Sequence, residues 1–143
     1  MGESIGFFIA FTIMELIVGL PIYYILRAIT KRKNIEAIAL VACIVAVGSG
    51  WLAGYRFTKD VMISEYLMHT QRNEITIHGV NLTQEKWAAL RNSFISNPDN
   101  TQLFHVGAAK ASLPSSVFVA IILFWIAERQ KKKNGSNNES ANT

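Results

Sequence analysis

Residues 5–26 read IGFFIAFTIMELIVGLPIYYIL, apolar throughout apart from Thr12 and one acid, Glu15. As a helix these residues rise about 33 Å, enough to cross a hydrocarbon core of about 30 Å. A basic knot follows directly, Arg27, Lys31, Arg32 and Lys33, while Glu3 precedes the run. An apolar span with its basic flank at the C-terminal end should insert with its N-terminus away from the cytoplasm. The rest of the chain is read from that orientation.

The second apolar run, Ile35 to Tyr55, follows the first after an eight-residue connection and should return across the membrane as an antiparallel partner. Ala42, Ala46, Gly50 and Gly54 recur every fourth residue in it. On a helix they form one strip of minimal side chains, and in lipid such strips let helices approach closely enough for packing to hold them together. The strip is expected to seat another span of the same chain, with self-association as the alternative. Trp51, Tyr55 and Phe57 mark its outer end, and Tyr23 and Tyr24 mark the inner end of the first span, where amphipathic rings favour the headgroup level.

The third run, Leu113 to Ala127, is shorter at 15 residues. Ser112 as N-cap and Pro114 just inside would start a helix there, and an upstream extension through Phe104 would complete the crossing. Arg129, Lys131, Lys132 and Lys133 close it. Three crossings put both basic clusters on the cytoplasmic side; two would leave one of them outside.

The expected fold is therefore an all-α membrane protein with three transmembrane helices, N-out and C-in. A small α-rich extracytoplasmic cap lies between the second and third. The divisions run 1–34 (first span and basic turn), 35–55 (second span), 56–112 (cap), 113–128 (third span) and 129–143 (a basic, then disordered, tail). Within the cap, Asp60 to His69 continues the second helix or lies along the membrane surface. Glu74 to His78 (EITIH) alternates like a short strand before Gly79. Leu82-Thr83-Gln84-Glu85-Lys86-Trp87 starts a helix capped by Thr83, and Ser96-Asn97-Pro98-Asp99-Asn100 ends it.

Composition narrows the function. Of the 14 basic residues eight flank the first and third spans, and the six in the cap face five acids. Arg27, Lys31, Arg32, Lys33, Arg129, Lys131, Lys132 and Lys133 therefore read as topology and lipid contacts, and no direct nucleic-acid binding is expected. Cys43 is the one cysteine, so neither an intramolecular disulfide nor a thiolate metal site can form. No cleaved signal peptide is expected. His69, His78 and His105 lack metal-ligand spacing, and Ser115-Ser116 lacks a nucleophile elbow or an adjacent base. No catalytic, metal or cofactor-binding residues are assigned, and the chain is read as non-enzymatic.

Glu15 is the exception worth a site. It lies about 15 Å into the first span, where an ionised carboxylate costs at least a few kcal/mol. The expectation is a carboxyl that is protonated or hydrogen-bonded to hydroxyls between helices, with Thr12 and Ser49 as the nearest candidates. It serves either as polar glue for the bundle or as a proton, ion or partner contact. Trp87 is either the aromatic core of the cap or an anchor for a partner.

In overall layout the chain is similar to small phage superinfection-exclusion and toxin-immunity membrane proteins, a likeness of architecture carried by no motif. It implies a multi-pass protein of the bacterial inner membrane whose spans and periplasmic cap engage another membrane-associated machine. Expected partners are the lipid bilayer and a protein of the inner membrane or periplasm, with a homo-oligomer as a further option. A holin-like channel former and an accessory subunit of a secretion, transport or respiratory complex are the alternatives.

Overall fold

The computed structural model describes the backbone of residues 2–30 and 34–139 and the side chains of 5–30 and 34–133. Among the described residues there are four helices: α1 (Gly2–Ile29), α2 (Ile35–His78), α3 (Gln84–Ser96) and α4 (Pro98–Glu139). There is no strand among the described residues. Helices α1, α2 and α4 are long and apolar enough to cross a membrane, as the three apolar runs imply. The chain divides into two units, Met1–Trp51 with Ala111–Thr143, and Leu52–Lys110.

In the first unit each long helix turns a stripe of nearly every fourth residue inward. The stripes are Thr12, Glu15, Gly19 and Tyr23 on α1, Ile38, Ala42, Ala46 and Gly50 on α2, and Ser115, Val119, Leu123 and Ala127 on α4. This spacing is the helical period that stacks side chains on one face. The interior is partly polar, holding Thr12, Glu15, Ser112, Ser115 and Ser116. The outer surface is apolar: Ile9, Ile13, Ile17, Ile44, Val117 and Ile121 are all at least half exposed. A water-soluble bundle distributes these residues the other way round, because exposed apolar stripes of this extent cost free energy in water. Lipid removes that cost.

The small-residue strip of α2 is buried throughout. A Cβ placed on Gly19 would sit 3.1 Å from the Cβ of Ala46 and 3.4 Å from Leu123. Glycine on α1 thus meets alanine on α2 at closest approach, as the strip requires. Tyr23 departs from the expected belt position. It is fully buried and its hydroxyl donates to Oε1 of Gln130 at 2.8 Å, a long-range bond that satisfies the phenol inside the bundle. Its neighbour Tyr24 stays half exposed and meets it edge-on.

The second unit consists of α2 from Leu52 onward, α3, and α4 up to Lys110. Residues 74–78 are helical, not extended. No Gly or Pro interrupts α2 after Gly54, and Gly79, at φ +64°, closes the helix with its amide on the carbonyl of Ile75 at 3.0 Å. That is a left-handed glycine C-cap, and continuous helix overrode the local β-branched alternation. Thr83 caps α3, accepting from the Lys86 amide at 3.4 Å. Because that bond is long, Thr83→Ala should cost only about 0.5 kcal/mol. The effect should show as faster hydrogen exchange confined to the first turn of α3.

Asn97 ends α3 and begins α4: its Oδ1 accepts from the Asp99 amide at 3.0 Å, with Pro98 at the first helical position. So α4 starts at Pro98, well before Ser112, and Pro114 lies inside it. It remains helical to Glu139, past the end of the apolar run. Aromatic rings fill the second unit. Tyr66 stacks on Phe94 at 4.5 Å, and Phe104 meets both Phe94 and Tyr55 at 6.1 Å. Close backbone approach recurs here: a Cβ on Gly54 would lie 3.0 Å from the carbonyl oxygen of Ala108.

A buried carboxyl as the candidate functional site

Glu15 is completely buried. The i, i+4 stripe of α1 that carries Gly19 and Tyr23 inward carries Glu15 with them, because a helix cannot turn one member of such a row outward. Its Oε1 lies 2.9 Å from the Ser116 hydroxyl and 3.1 Å from that of Ser115, both on α4. Ser115 is also 2.8 Å from the carbonyl oxygen of Ser112, one turn back on its own helix. Oε2 is buried with no hydrogen-bond partner among the described residues. Gly50 of α2 lies against the carboxyl: a Cβ there would collide with Oε1 and stand 2.6 Å from Cδ. The absence of a side chain at position 50 makes the space that Glu15 fills.

The hydroxyls that reach Glu15 come from the third long helix. Ser49 donates instead to the carbonyl of Ala46 at 2.7 Å, and Thr12 to that of Phe8 at 2.7 Å. The structure sets Gly50 opposite Glu15 and Ala46 opposite Gly19, a register that presents glycine rather than Ser49 to the carboxyl. Ser115 and Ser116 are visible in the sequence only as a serine pair in an apolar run. Their role as partners of Glu15 depends on how two helices about 100 positions apart in the chain lie side by side.

The basic residues are placed as follows. Arg129 stacks over the Trp125 ring at 4.0 Å, Lys131 pairs with Glu36 at 2.6 Å, and Lys132 pairs with Glu128 at 3.1 Å. Lys133 is exposed and Arg27 lies in the last turn of α1. Lys31, Arg32 and Lys33 lie outside the described residues. The Lys131–Glu36 and Tyr23–Gln130 contacts bring the end of α1, the start of α2 and the basic stretch of α4 to one end of the first unit. Both ion pairs are largely exposed, so each contributes little to stability.

Trp87 is half-buried on α3, which has no fully buried residue. His105 packs on Tyr55 at 5.0 Å, and His69 hydrogen-bonds Asn73 at 3.3 Å. Among the described residues no three His, Cys, Asp or Glu side chains come together as a metal site. The chain matches no protein-family model, and neither a curated protein nor a solved structure is similar enough to match it.

Proposed function

We propose that the chain is a multi-pass protein of a bacterial inner membrane, N-out and C-in, that acts by contact with another membrane-associated machine. The role is exclusion or immunity, as in blocking DNA entry by a second phage. On this reading the unit Leu52–Lys110 is periplasmic and presents the contact surface. The supporting observation is a row on α2: Val61, Met68 and Ile75 are seven residues apart and 38%, 63% and 46% exposed. Seven-residue spacing lines side chains along one ridge of a helix. The same stretch carries Lys59, Asp60, Glu65 and Arg72, charges that the hydrocarbon core does not accept. A ridge that is apolar yet flanked by charge suits a partner helix laid along it, better than lipid.

The test has two parts. Reporter fusions at Asn97 and Asn134 should read periplasmic and cytoplasmic, and a cytoplasmic Asn97 would end the proposal. Induced expression should then leave growth normal while blocking DNA entry of a challenging phage. Met68→Asp with Ile75→Asp should abolish that block at unchanged membrane abundance. Permeabilised cells would point instead to a holin-like channel former. Recovery at fixed stoichiometry with a host complex, without protection, would point to an accessory subunit.

A further inference from the structure

The two oxygens of Glu15 sit in different surroundings, and the asymmetry carries information about its charge. Oε1 has two hydroxyls within hydrogen-bond distance, whereas Oε2 has none among the described residues and is shut from solvent. A carboxylate spreads its charge equally over both oxygens, so ionised Glu15 would leave half a charge buried with no donor against it. Among the described residues no basic side chain pairs with it; the residues that reach it are Ser115 and Ser116, and a negative charge on it would also be felt by the Cys43 thiol on α2. A neutral acid has no such difficulty, since a carbonyl oxygen without a donor is the mildest of unsatisfied groups.

The serines accommodate that neutral acid. Ser115 has one hydroxyl proton and two acceptors in reach, the Ser112 carbonyl at 2.8 Å and Glu15 Oε1 at 3.1 Å. Giving its proton to the nearer carbonyl leaves its oxygen free to accept. We propose that Glu15 is a proton-binding site of the membrane unit, holding its proton on Oε1 and donating it to Ser115 Oγ. The chain then runs from the acid on α1 through Ser115 to the Ser112 carbonyl on α4, with Ser116 donating to Oε1. Every hydroxyl proton in the chain has an acceptor. Gly50 packs against the carboxyl from α2, where even a methyl group would strike Oε1.

Infrared spectroscopy of the full chain in an ester-free detergent at neutral pH tests this directly. Wild type should show a protonated-carboxyl stretching band there, and Glu15→Gln should lack it. Ser115→Ala keeps the acid but removes its acceptor, so it should move the band to higher frequency. This arm stands even if the glutamine variant folds poorly. Added sodium should leave the band in place. Absence of the band at neutral pH, its persistence in Glu15→Gln, or its loss on adding sodium would each overturn the proposal, the last by showing a metal ion on the carboxyl.

Discussion

Gly50→Ala is expected to destabilise the first unit by about 2–3 kcal/mol, the range for forcing a methyl group into a filled site plus a lost buried hydrogen bond. The added Cβ would occupy the position of Glu15 Oε1 and crowd Cγ at 2.9 Å. A flexible carboxyl at a surface would swing aside at small cost. Here the side chain is fully buried and bound to two serines, so moving it breaks those bonds. Gly48 provides the control two residues away, because a Cβ there meets nothing within 4 Å. Gly48→Ala should be neutral or stabilising by up to about 1 kcal/mol, the helix-propensity gain. Titration of both variants from mild into denaturing detergent, followed by circular dichroism, measures the difference. Combining Gly50→Ala with Glu15→Ala should recover much of the loss, since the second change removes the group struck by the first. If the two losses simply add, the collision is not their cause.

Leu123→Ala should have the next largest effect, about 2 kcal/mol, estimated from the cavity alone. Leu123 is fully buried on α4 against the strip of α2 and Gly19 of α1. In a membrane the transfer part of the usual penalty disappears, because lipid is as apolar as the protein interior. What remains is a void between the three helices, whose lining atoms would have nothing opposite them to attract. Ile121→Ala, two positions away and 61% exposed, removes a side chain of the same size from the outer surface of the bundle, and should change stability by under about 0.5 kcal/mol. Equal losses at the two positions would mean that the stripe of α4 is not packed as described.

Parts of this architecture are legible in the sequence because the forces that make them are local. An apolar run long enough to cross hydrocarbon declares itself, since no backbone other than a helix satisfies its polar groups there. The Thr83 cap and the Asn97-Pro98 junction likewise depend on side chains acting on their own neighbours. The strip Ala42, Ala46, Gly50 and Gly54 shows where helices approach, because close packing needs small residues whatever the partner. Residues 74–78 escaped the same logic: their β-branched alternation resembles a strand, while the end of the helix is marked only by Gly79.

From its sequence alone, then, this protein is committed to three apolar helices, a buried acid in the first, and a narrow contact strip on the second. Tertiary structure decided what meets what: Glu15 with Ser115, Ser116 and Gly50, and Tyr23 with Gln130. Helix formation is settled within a few residues by hydrogen bonds and by the solvent around them. Register between helices is settled by the whole interface at once, and a slide of one turn exchanges every polar partner while leaving each helix unchanged.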